Sequence, residues 1–288
     1  MPIRDLGYRP YEGKRLPPSN NTWVMLRHGL GRAWGSWLVK VSGFLCWVPP
    51  LIMGAYIGIH YMANNSMSNN GLGGVVEPLD GGDLLHSLYG WQLWLFGLMI
   101  SLGAGASAIS EDFTHRAFQF YFAKPVTPTQ YLLGRIMAVA IWVFSILFLP
   151  GFLLTLLLVG TATPEMRFES LGLMLPAFLH AVIIATTVSV GSVGISSLSK
   201  SRALTMSAWM LLFLVPWVLA AIVNEVGDWP WLKLVSLPAL LAVVGDTLFK
   251  VTREDALRWY HALPILVGFV ALTLQVARAR LRGAEVIT

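Results

Sequence analysis

The side chains of this chain best suited to chemistry are six histidines, at 28, 60, 86, 115, 180 and 261, and a single cysteine, Cys46. A helical metal pair needs imidazoles three or four residues apart, and no two of these stand so. One cysteine makes neither a disulfide framework nor a thiolate cluster. Asp83 and His86 are three apart, but they fall in a stretch that reads as an outer loop, where such a pair is solvated surface. No serine, histidine and carboxylate pattern or carboxylate pair marks a hydrolytic site. No G-x-x-x-x-G-K-[ST] loop is present to cradle nucleotide phosphates. The chain therefore reads as a non-enzyme that binds no metal and no cofactor of its own.

Charge and aromatic surface are instead concentrated between Ser110 and Arg135. Ser110 is placed to cap a short helix, Glu111 and Asp112 suit the positive end of its dipole, and Lys124 before Pro125 suits the other end. Thr127, Pro128 at the first helical position and Gln130 make a capping box for the helix that follows. The short helix carries Phe113, Phe118, Phe120, Tyr121 and Phe122, with His115 and Arg116 between them. So dense an aromatic surface needs cover. Either lipid and the chain's own domain supply it, or a socket on a second protein does.

The elements that position this segment are membrane spans. Of the 288 residues, 56% are hydrophobic and 12% charged, about half the charge of a soluble domain. A spanning helix needs about 20 apolar residues to cross about 30 Å of hydrocarbon. Six stretches qualify, at 41–63, 89–109, 131–159, 171–198, 203–223 and 259–277. With the N-terminus inside, fifteen Lys and Arg fall on the inner side and five on the outer, so both termini are expected in the cytoplasm. Residues 231–249 are apolar but interrupted by Pro238 and Asp246, and read as re-entrant or interfacial outer helices anchored by Trp229 and Trp231. Asn64 to Gly82 reads as a flexible outer loop. The net charge of +5 marks the inner side of a bilayer rather than a nucleic-acid partner.

Ahead of the first span, Trp23, Leu26, Leu30, Trp34 and Trp37 recur at helical spacing, with Arg27, His28, Arg32 and Lys40 largely off the stripe. This predicts an amphipathic helix on the inner leaflet, serving as an anchor or as a brace for a partner. Small residues mark close helix approach in lipid. Gly54 and Gly58 lie in the first span and Gly97, Ser101 and Gly105 in the second. The hydroxyl-rich fourth span carries Thr187, Ser192 and Ser196, which either bond between helices or line a weakly polar path. Pro49, Pro50, Pro150, Pro176 and Pro216 are candidate kinks.

The run from Glu111 to Arg135, an acidic start, an aromatic helix, Lys-Pro-Val-Thr-Pro and Tyr-Leu-Leu-Gly-Arg, resembles the signature of the type-2 ABC exporter permease family. So does the plan as a whole: an all-α membrane protein with an amphipathic inner helix, six spans, a short helix between spans 2 and 3, and re-entrant helices between spans 5 and 6. The motif covers about 25 residues and the architecture most of the chain. The resemblance implies a half-size bacterial permease without fused ATPase, in the inner membrane. Residues 1–40 would form the cytoplasmic N-terminal segment, 41–277 the transmembrane domain and 278–288 the tail. It implies that Glu111, Asp112, Phe113, His115, Arg116, Phe118, Phe120 and Tyr121 couple the chain to a cytosolic ATP-binding subunit, which would hold the ATP and Mg²⁺. A second permease, identical or homologous, would complete the export path. The competing expectations are an ATP-independent secondary transporter or channel, or a permease-like subunit passing mechanical work to an outer-surface partner. Ion-coupled transporters keep ionisable groups within their spans, and these spans offer few.

Overall fold

A computed structural model describes residues 17, 20–70, 79–122, 126–227, 229–252 and 257–287. Among them every regular element is helical, and six helices are long and apolar enough to cross a membrane. In lipid the backbone must satisfy its own hydrogen bonds, and helices do this segment by segment.

Helix α1 (Asn21–Gly35) lies ahead of α2 (Trp37–Leu45) and α3 (Val48–Asn69), which together make span 1. Span 2 starts at α4 (Gly81–Trp91), where the Asp80 carboxylate accepts from the Gly82 and Asp83 amides. It continues through a π-helical stretch at Gln92–Gly97, α5 (Leu98–Ile100) and a second π-helical stretch at Ser101–Gly105. It ends in α6 (Ser110–Thr114), and α7 (Phe118–Phe122) follows. Span 3 is the single helix α8 (Pro128–Thr161), and its capping box from Thr127 and Gln130 is fully formed. Span 4 joins α9 (Arg167–Gly172) to α10 (Met174–Ser196). Span 5 is α11 (Arg202–Gly227), α12 (Leu237–Leu248) is short, and span 6 is α13 (Trp259–Ile287).

Span 2 is the most buried of the six, while spans 1, 5 and 6 turn most of their apolar surface outward. Gly105 lets span 2 meet span 4 closely, because a Cβ there would come 2.1 Å from Ser192 Oγ. Two polar side chains of span 2 reach across to other spans. Gln92 Nε2 donates to Cys46 C=O at 2.7 Å, and Ser101 Oγ accepts from the buried Trp209 Nε1 at 2.8 Å. The π-helical turns offset these side chains from the register of a straight α-helix.

Two expectations change. The helix of span 1 runs through Asn64, Asn65 and Ser66 to Asn69, so the loop does not begin at Asn64. Those residues are exposed, and their side chains need no burial to stay helical. Span 2 begins at Gly81, which places His86 inside the bundle at 6% exposure rather than on solvated surface. Its partner is not the neighbouring Asp83: His86 Nε2 lies 3.3 Å from Asp246 Oδ1 and 3.2 Å from Ala242 C=O, both on α12. The 231–249 stretch holds a 3-10 turn at Pro230–Val235 and then α12, which at 12 residues is about 18 Å long and too short to cross. Ser236 caps it, and His180 Nε2 of span 4 donates to its Leu241 C=O at 3.0 Å. The stretch is therefore built into the bundle by two histidines, with the six crossings kept.

Candidate coupling site

The stretch from Ser110 to Phe122, at the end of span 2 and beyond it, is not one helix but two short ones. Between them the chain turns at His115 to Ala117, and Arg116 takes a left-handed backbone with φ of 52°. His115 Nδ1 donates to Glu111 C=O at 2.8 Å, and the Ala117 amide to Asp112 C=O at 2.9 Å, which closes the turn. Ser110 is a helical residue rather than a cap, with its hydroxyl directed at Ser107 C=O. The capping group comes from span 4: Ser196 Oγ accepts from the amides of Ile109 and Ser110 at 2.9 and 3.0 Å.

Asp112 is the centre of the site. It is 5% exposed, and its carboxylate accepts Tyr131 OH at 2.5 Å, Arg135 Nη2 at 2.5 Å and Arg32 Nη1 at 2.7 Å. Glu111 beside it pairs with Arg32 Nη2 and, at 2.9 Å, with Arg202 Nη1. Two adjacent carboxylates thus tie α6 to α1, span 3 and span 5. Arginine suits this because its planar fork bonds two acceptors at once. Burial opposes the Arg32 charge, but Asp112 and Glu111 outweigh it and hold the guanidinium above its ordinary value. Burial and then the charges of Arg135 and Arg32 hold His28 below its own. Burial and the Asp112 carboxylate push the Tyr121 phenol up.

The aromatic residues divide. Phe118 is 4% exposed, packed between Phe113 at 4.6 Å and Tyr131 at 5.3 Å, and Tyr121 lies 5.5 Å from Tyr131. The chain's own core covers these rings. His115 and Arg116 are exposed at the turn, and Thr114 Oγ1 donates to Lys200 C=O at 2.6 Å, fastening the turn to the loop before span 5. The side chains of Phe120 and Phe122, with Lys124 and Pro125, lie outside the described residues.

Helix α1 packs along span 3. A Cβ on Gly134 would stand 2.5 Å from Met25 Cβ, so only glycine admits the approach. The buried face is Met25, Leu26, Gly29 and Ala33. Trp23, Trp34 and Trp37 are exposed, as is Arg27, and Trp34 stacks on Trp142 of span 3 at 5.2 Å. Arg32 points the other way, into the Asp112 cluster. Of the remaining candidates, Gly97, Ser101, Gly105, Thr187, Ser192 and Ser196 are all buried within the bundle. Ser101 and Ser196 bond other spans, while Ser192 Oγ bonds Val188 C=O of its own helix at 2.7 Å. Gly54 faces Leu157 of span 3, and Gly58 meets nothing within 4 Å.

Sequence reasoning named Glu111 and Asp112 but missed their partners Arg32, Tyr131, Arg135 and Arg202. One signal existed, since Arg135 is an ionisable residue at the start of an apolar span and such residues carry partners. As arranged, the site is an electrostatic joint: through Asp112 and Glu111, α6 is bonded to α1, span 3 and span 5 together.

The sequence pattern of the family described as ABC-2 family transporter protein matches residues 51–274, more than three quarters of the chain. No curated protein matches it.

Proposed function

This chain belongs to the ABC-2 transporter family as a transmembrane permease component, and on that premise we propose that a separate cytosolic ATP-binding subunit drives it through the turn between α6 and α7. Two permeases, identical or homologous, pair around the path, and transport runs outward. The turn faces the cytoplasm with both termini on the same side, in the cell's inner membrane, as the excess of Lys and Arg on that side favours. ATP hydrolysis belongs to the partner, in keeping with the lack of a phosphate loop in this sequence.

The observation that carries this reading is the double use of Glu111 and Asp112. They brace a turn that projects exposed His115 and Arg116, and they anchor it to α1, span 3 and span 5. Ser196 and Lys200 hold the two ends of α6, which leads into the turn, to span 4 and the loop beyond, which supports passage of a force from the turn into the bundle.

The test is affinity purification of the chain from native membranes, with identification of co-purifying chains and an ATPase assay on the complex. A stoichiometric ATP-binding subunit whose hydrolysis falls several-fold with Arg116→Glu supports the reading. Recovery of the chain alone, under conditions that preserve other membrane complexes, overturns it.

A further inference from the structure

Between α1, span 2 and span 3 lies a cleft of about 210 Å³, lined by Arg32, Arg135, Arg202 and Glu111 with Gly35 and Ala104 among its small residues. Water takes about 30 Å³ per molecule, so a tetrahedral oxyanion fits. The five charged groups of the joint do not balance: three guanidinium groups face the two carboxylates of Glu111 and Asp112, leaving one positive charge in excess. Arg135 is 2% exposed, yet its Nε–H has no partner. A buried guanidinium donor left unpaired is costly, and an acceptor in the cleft relieves it.

We propose that this cleft binds the phosphate of an anionic phospholipid from the leaflet against which α1 lies. A phosphodiester carries one negative charge, which cancels the excess. Its oxygens match the donor forks of arginine. The lipid source follows from the surroundings: Gly35 and Ser36 line the cleft, and Trp34 and Trp37 on either side of them are exposed, as indoles at headgroup depth are. A phospholipid headgroup there supplies a sixth partner to the joint and couples bilayer composition to the turn. This inference rests on the membrane placement of α1 and not on the ATPase partner, so it survives or fails apart from the proposed function.

The experiment is native mass spectrometry of the full-length chain in detergent, titrated with equal phosphatidylglycerol and phosphatidylethanolamine, and separately with inorganic phosphate. Two variants accompany it. Arg202→Gln removes one cation that is 54% exposed on its side chain, and Gly35→Leu fills the cleft without changing charge, since a Cβ there meets nothing within 4 Å. Phosphatidylglycerol retained in preference to phosphatidylethanolamine, with retention lowered about tenfold by each variant, is the expected result. Equal retention of the two lipids, or equal retention by wild type and both variants, overturns the proposal. Displacement of the lipid by inorganic phosphate at equal concentration assigns the cleft to a free oxyanion and overturns the lipid assignment. If Arg202→Gln does not fold, Gly35→Leu decides alone.

Discussion

Asp112→Asn should be the most damaging single change at the joint. The wild-type carboxylate takes three donors, from Tyr131, Arg135 and Arg32. Asparagine offers one acceptor oxygen and turns an NH₂ group toward a guanidinium. Arg135 is then buried with its counter-charge removed, and losing one partner of a buried pair costs about 3–5 kcal/mol. Glu111→Gln is the internal control. Its side chain is partly exposed, Arg32 keeps Asp112, and Arg202 is solvated, so the loss should be about 1 kcal/mol or less. The assay is denaturant unfolding in mixed micelles followed by tryptophan emission, with the stacked Trp34 and Trp142 reporting the contact between α1 and span 3. The double variant Asp112→Asn with Arg135→Gln removes the orphaned charge and should lose less than the sum of the two single changes. Asp112→Asn within about 1 kcal/mol of wild type, or strict additivity in the double variant, would refute the reasoning.

Phe118→Asp places a charge between Phe113 and Tyr131 and should lower folded yield in the membrane, measured by gel filtration, rather than release a partner from a folded chain. Arg116→Gly suits the left-handed backbone and should leave thermal stability unchanged or raise it by up to about 1 kcal/mol, while partner ATPase stimulation falls. Gly105→Ala should cost about 1–3 kcal/mol through its clash with Ser192, and adding Ser192→Gly should recover much of that loss in the same unfolding assay. His180→Phe keeps a ring stacked on Tyr89 but takes the donor from Leu241 C=O, and should loosen α12 enough to raise amide exchange there.

The spans were legible because lipid solvation demands long apolar helices, and composition alone reports those. The Thr127 to Gln130 capping box was legible for a different reason: its donors and acceptors are local in sequence, and the structure forms both bonds. What sequence could not give is long-range pairing. Arg32 and Asp112 are 80 residues apart, His86 and Ala242 are 156 apart, and neither distance leaves a periodic trace. Local proximity was no guide either, since Asp83 neighbours His86 in sequence while Asp246 meets it in space. The aromatic run from Phe113 to Tyr121 correctly signalled a need for cover. It could not tell which rings the chain would cover itself, because that depends on how Tyr131 of the next span returns to meet them.

The most direct measurement is photo-crosslinking from a single probe in place of Arg116, on the exposed turn, with a second probe in place of Trp231, ahead of α12, as the control. In native membranes the Arg116 probe should trap an ATP-binding subunit, with a yield that changes between nucleotide-free and ATP-bound conditions, and the Trp231 probe should not. Lipid adducts alone from the Arg116 probe, or the same ATP-binding subunit trapped from both positions, would contradict coupling through this turn.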